Sequence, residues 1–118
     1  MDQAMKDVKW VGNSHEQIQS FPKPPRQIVG DALLFAQLGK KHQKAKPLRG
    51  FGSGVFEITA RYNTNTYRAV YTVKIGENIY VLHVFQKKST RGISTPKKEI
   101  DLIKQRLRMV REMEVENE

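Results

Sequence analysis

Between Val55 and Lys88 the chain reads VFEITARYNTNTYRAVYTVKIGENIYVLHVFQKK, an alternation of apolar and polar positions rich in Val, Ile, Tyr, Phe and Thr and free of proline. That pattern predicts β-strands. Asn63-Thr64-Asn65-Thr66 and Gly76-Glu77-Asn78 supply turn chemistry, so the run reads as a three-stranded antiparallel meander. With Tyr62 opposite Tyr67, Ala60 faces Ala69, Ile58 faces Tyr71 and Phe56 faces Val73 on one apolar face. The other face pairs Arg61 with Arg68, Thr59 with Val70 and Glu57 with Thr72. Closing the second hairpin at Gly76-Glu77 adds Tyr80, Leu82 and Val84 to the apolar face. Ile79, Val81, His83, Phe85 and Lys87 then join the face of the arginines. A slip of one residue there exchanges the two sets. On this reading Phe56, Ile58, Tyr71, Leu82 and Val84 are core, and two directly opposed arginines ask for an anion. A solvated face with the arginines fanned apart is the plainer alternative.

Helical periods flank the meander. Val8 and Trp10 alternate with Asp7 and Lys9 as a short strand for a sheet edge. Ser14-His15-Glu16-Gln17 fits a capping box and predicts a short helix to about Phe21. Pro25 opens a second helix in which Ile28, Val29, Ala32, Leu33, Phe35 and Ala36 recur at helical spacing, and Gly39 stands where a left-handed cap belongs. These two helices are expected to form a hairpin over the apolar face. Thr95-Pro96 starts a closing helix to about Met113, with Ile100, Ile103, Leu107 and Val110 as its apolar stripe. The fold class expected is α+β: an N-terminal helical hairpin packed on a twisted antiparallel sheet, with a C-terminal helix, over residues 1–118 as one domain.

Composition narrows the chemistry. The formal net charge is +9, from 21 Lys and Arg against 12 Asp and Glu, which favours polyanionic partners. There is no cysteine, which excludes disulfide scaffolds and thiol catalysis, and three scattered histidines make a metal site or other cofactor unexpected. No apolar run approaches a membrane span, and the first ten residues have no signal-peptide core, so a cytoplasmic protein is expected. Lys40, Lys41, Lys44, Lys46 and Arg49 fall in a stretch without an acid, readable as a solvated linker or a phosphate-contacting arm. Lys87, Lys88 and Arg91 make a second basic stretch after the last strand.

YRAVY (67–71), IYVLHVFQKK (79–88) and STPKKEIDLIKQRL (94–107), in that order and spacing, resemble the RelE/ParE toxin superfamily in its phage-derived HigB-like branch. The resemblance spans roughly residues 6 to 110 and implies the same α+β fold. It implies the toxin half of a toxin–antitoxin pair, with a helix-turn-helix, HigA-like antitoxin as partner. Many members are ribosome-dependent nucleases that cut mRNA; ParE-type members inhibit DNA gyrase instead. The family arginine falls on Arg68, a phosphate-stabilising residue, and the basic pair ending the last strand on Lys87 and Lys88. Glu57 and Thr59 stand where some relatives carry lysine, leaving Arg61 as the only base of that strand. The catalytic tyrosine near the C-terminus has no counterpart, since no tyrosine follows Tyr80.

Metal-independent RNA cleavage needs a base for the 2′-hydroxyl, an acid for the leaving 5′-oxygen and cations for the charged transition state. His83 is the natural proton carrier near neutral pH, and Arg68, Lys87 and Lys88 the charge stabilisers. Arg61, Arg49, Lys44, Lys46 and Arg91 are candidates for backbone binding, and Phe85 for stacking on a base. A core histidine is the plainer reading of His83. The function expected is a ribosome-dependent mRNA endoribonuclease that inhibits translation. The alternative is a non-enzymatic gyrase inhibitor or nucleic-acid-binding module.

Overall fold

The computed structural model describes residues 5–87 and 95–116. Eight elements follow in order: β1 (Val8–Trp10), α1 (Ser14–Gln19), α2 (Lys23–Gln37), β2 (Ala45–Pro47), β3 (Val55–Tyr62), β4 (Asn65–Thr72), β5 (Ile79–Lys87) and α3 (Lys97–Glu116). The strands form one sheet in the order β1-β5-β4-β3-β2. The meander expected from alternation is its centre. The sheet is mixed rather than antiparallel throughout, because β1 runs parallel to β5. The basic stretch before the meander, read as linker or arm, contains the edge strand β2, with Lys46 opposite Glu57. Two helices precede the meander, as expected.

Local sequence explains the helix ends. Pro24 and Pro25 occupy the first turn of α2, where a missing N–H costs nothing. At the other end Gly39 adopts φ +79. Its N–H donates to Ala36 O (3.0 Å) and that of Lys40 to Phe35 O (2.8 Å), the paired bonds of a Schellman cap. The capping box expected at Ser14 does not form. Asn13 is the cap residue and makes no side-chain cap bond; its Oδ1 instead accepts from Arg106 Nη2 at 2.9 Å. Ser14 is buried inside the first turn.

The first hairpin closes two residues tighter than the alternation suggests. Tyr62 pairs with Asn65 across a turn made by Asn63 and Thr64, both at positive φ (49° and 67°). A shift of two keeps every side chain on its face but changes its partner. Ile58 now faces Ala69 and Phe56 faces Tyr71, while Arg68 faces Thr59 and Arg61 faces Thr66. The like-charge clash of Arg61 with Arg68 is thereby avoided. Thr64 is β-branched in a left-handed conformation, which costs about 1–2 kcal/mol for an L-residue. Thr64→Gly is therefore expected to stabilise the protein by about 1 kcal/mol, read as a higher melting temperature. An unchanged or lower value would contradict this turn.

The second hairpin departs further. Val70 pairs with His83, but Tyr71 pairs with Val81, so Leu82 is an extra residue on β5. Such a bulge interrupts alternation. Leu82 and His83 both meet α3, Tyr80 joins them, and Ile79 and Val81 turn to the opposite face. The expectation that Tyr80 and Leu82 share a face with Val84 is therefore corrected, as is the placing of Ile79 and Val81 beside the arginines.

Both faces of the sheet are cores. Ile18, Phe21, Val29, Ala32, Leu33 and Ala36 of the N-terminal helical region cover Ile58, Ala69, Tyr71, Val81 and Val84. Helix α3 packs Ile103, Leu107 and Val110 on Val55, Val70, Tyr80, Leu82 and Phe85. The face expected to be polar is thus largely a second hydrophobic layer. Leu82 is fully buried in it, and Leu82→Ala is expected to cost about 2–5 kcal/mol in a denaturation series. A cost below 1 kcal/mol would place the residue outside the core.

A cationic cleft and a buried histidine network

Arg68 lies mid-strand in β4 on the α3 side, and its side chain is 9% exposed. Its Nη1 donates to Glu57 Oε1 at 2.7 Å and reaches Thr95 Oγ1 at 3.5 Å. Thr95 Oγ1 in turn donates to Glu57 Oε2 at 3.0 Å, just ahead of α3. For Arg68 the anion is thus supplied from within the chain. Glu57, at a place where the resemblance puts lysine in some relatives, forms an ion pair with Arg68.

The same arginine reaches the wall of a cleft of about 550 Å³ at the β2–β3 edge. Lys44, Lys46, Thr59, Arg61 and Arg68 line it, with Ile28, Gln43 and Ala60, and none of the lining residues is acidic. Lys44, Lys46 and Arg61 are exposed. Pairing of β2 with β3 sets Lys46 beside the strand that carries Arg61. The exposed cations of this cleft thus come from β3 and the β2 region, and Arg68 of β4, held by Glu57, forms part of its wall.

His83 has a different environment. It is 6% exposed and stacks on Phe85, itself buried, with ring centroids 4.9 Å apart. Arg106 Nη1 approaches His83 Nδ1 at 3.2 Å and donates to Leu82 O at 2.9 Å. A guanidinium can only donate, so Nδ1 is the acceptor and the ring hydrogen sits on Nε2. That hydrogen is donated to Glu99 Oε2. Gly12, at φ +58, makes room for Arg106: a Cβ there would sit 2.7 Å from Nη2. The network ties β5, α3 and the start of α1 together through one neutral tautomer.

Burial lowers the His83 pKa below its ordinary value of 6.5; Glu99 opposes the shift and Arg106 adds to it. As pH falls through about 6.5 the unfolded chain takes up this proton first, so stability is lost down to the lower folded pKa. The denaturation midpoint is expected to fall between about pH 7.5 and 5.5, and His83→Gln is expected to flatten that slope. An equal slope in the variant would mean other groups carry it.

The remaining candidates are dispersed. Arg49 is exposed in the turn before β3 and does not line the cleft. Lys87 ends β5 opposite Thr66. Lys88 and Arg91 lie outside the described residues. Asn13, Thr95, Glu99 and Arg106 were not among the sequence candidates. For Arg106 a signal existed: it lies three residues from Ile103 and four from Val110, inside the apolar stripe rather than on the outer faces of α3. Among the described residues no three His, Cys, Asp or Glu side chains gather to hold a metal ion, and no helix is long and apolar enough to cross a membrane.

No curated protein matches the chain. The model of the Gp49-like family of phage-derived proteins (DUF891) matches residues 16–108, from α1 through most of α3. That family is of the RelE toxin-like kind and is associated with the toxins of toxin–antitoxin systems. With β2 to β5, most of α3 and most of its length inside that match, the chain belongs to the Gp49-like phage-derived family.

Proposed function

We propose that this protein is the toxin of a type II toxin–antitoxin pair, of the HigB-like kind, that acts in the cytoplasm on mRNA at the ribosome. The observation that carries the reading is the cleft of Lys44, Lys46, Arg61 and Arg68, with no acidic lining residue. Single-stranded RNA binds such a groove through its phosphates. In the proposed reaction the 2′-oxygen attacks the adjacent phosphorus, the bond to the 5′-oxygen breaks, and a 2′,3′-cyclic phosphate is left. One proton leaves the 2′-hydroxyl and one is delivered to the 5′-oxygen. Arg68 and its neighbours offset the charge added at phosphorus. His83 serves as proton carrier only after the first turn of α3 shifts, because both of its ring nitrogens are engaged.

That engagement favours a second reading, in which the protein binds and blocks its target, nucleic acid or DNA gyrase, without cutting. A translating extract programmed with one defined mRNA separates the two. Cleavage is expected within the translated frame, with 2′,3′-cyclic phosphate ends on the upstream fragments. Intact mRNA, with inhibition appearing only in a gyrase supercoiling assay, overturns the nuclease reading.

A further inference from the structure

We infer that the cleft between β1 and the C-terminal half of α3 binds a free α-amino acid with a large apolar side chain. Its volume of about 410 Å³ falls within the roughly 300–1,000 Å³ of small-molecule sites. Val11, Met109 and Met113 supply apolar lining. Met109 and Met113 stand one turn apart on α3 and are 44% and 42% exposed, so the fold leaves much of both side chains uncovered. Lys9 of β1 and Glu114 of α3 bring opposite charges to the same cleft. Tyr80, paired with Lys9 in the sheet, donates its hydroxyl hydrogen to Glu114 Oε1. Gly76, at φ +59, makes room for that carboxylate: a Cβ there would sit 2.5 Å from it. The fold thus holds the carboxylate in place at the wall of the cleft.

Among the described residues neither Lys9 nor Glu114 takes part in an ion pair, and the two do not pair with each other although both line the cleft. A fixed carboxylate and a separate ammonium beside an apolar lining match a zwitterion. The ligand's ammonium group donates to Glu114, and its carboxylate accepts from Lys9, each through a charge-assisted hydrogen bond. Its side chain lies against the methionines, whose flexible thioethers adapt to apolar shapes and favour aromatic rings. A simple amine or a simple carboxylate satisfies one of the two charges and leaves the other. Nucleic acid is disfavoured because Glu114 repels phosphate. This cleft lies at the β1 edge of the sheet, whereas the cleft of Lys44, Lys46 and Arg61 lies at the β2–β3 edge. The inference therefore stands whether or not the chain cuts RNA.

The test titrates the full chain with L-phenylalanine and follows amide chemical shifts. Saturable shifts are expected, centred on residues 9–12, 78–80 and 109–114. The decarboxylated analogue 2-phenylethylamine and the deaminated analogue 3-phenylpropanoate are each expected to bind about tenfold or more weakly, the loss of one charge-assisted hydrogen bond. L-Alanine, which keeps both charges and lacks the large side chain, is expected to bind more weakly than L-phenylalanine. Lys9→Met removes an exposed cation and is expected to weaken L-phenylalanine while leaving 2-phenylethylamine unchanged. Glu114→Gln is expected to weaken L-phenylalanine while leaving 3-phenylpropanoate unchanged. Both variants are judged folded by far-ultraviolet circular dichroism, and their binding to single-stranded RNA is expected to be unchanged, which keeps this outcome separate from that of the proposed function. Three results overturn the inference: no saturable shifts, shifts centred outside the cleft, or binding of 2-phenylethylamine or 3-phenylpropanoate as tight as that of the amino acid.

Discussion

Arg68→Ala is expected to destabilise the protein by about 3–5 kcal/mol, because it leaves the Glu57 carboxylate with its charge uncompensated in a site where both partners are largely buried. Judged by alternation alone, Arg68 faces outward and its loss spares the fold. The ion pair reverses that expectation, and it changes how loss of toxicity in this variant is to be read. Removing both charges in Glu57→Gln/Arg68→Met is expected to recover most of the stability, since no lone charge remains. Arg68→Lys keeps a cation beside Glu57 but loses the planar fork. It is expected to fold and to lose activity, and it is the variant that separates structure from chemistry. A wild-type denaturation midpoint for Arg68→Ala would show that the pair contributes little.

The second large effect belongs to the open cleft. Lys44→Ala/Lys46→Ala/Arg61→Ala removes three exposed cations while leaving both cores untouched. Folding is expected to be unchanged and binding to single-stranded RNA strongly reduced. Each phosphate contact contributes about 0.7 to the slope of log affinity against log salt for single strands. The slope is therefore expected to fall by about two in the triple variant. Wild-type affinity and slope in that variant would remove the cleft from RNA binding.

The three-stranded meander, the long helices and the Gly39 cap were legible because each has a local cause: alternation, a 3–4 apolar period, a residue with no Cβ. Partner identity across the hairpins was not. A two-residue slide at Asn63–Thr64 preserves every face, so no hydrophobic pattern distinguishes it. The bulge at Leu82 breaks alternation inside a run that is apolar but for His83, where alternation carries little information. The placement of α3 is what the site reading lacked. A narrow stripe of Ile103, Leu107 and Val110 has to pack somewhere, and it packs on the face that carries His83 and Phe85. That one contact encloses the histidine and leaves Arg61, Lys44 and Lys46 outside. The acids that hold Arg68 and His83, Glu57 and Glu99, are distant in sequence from both and have no periodic signal.

The most direct measurement is a transcriptome-wide map of mRNA 5′ ends in cells induced to make the wild-type protein or the Lys44→Ala/Lys46→Ala/Arg61→Ala variant. New ends confined to translated frames, lost when translation is blocked and absent with the variant, are the predicted result. A growth-inhibiting wild type that creates no new mRNA ends, or a variant that cuts as well as the wild type, would contradict it.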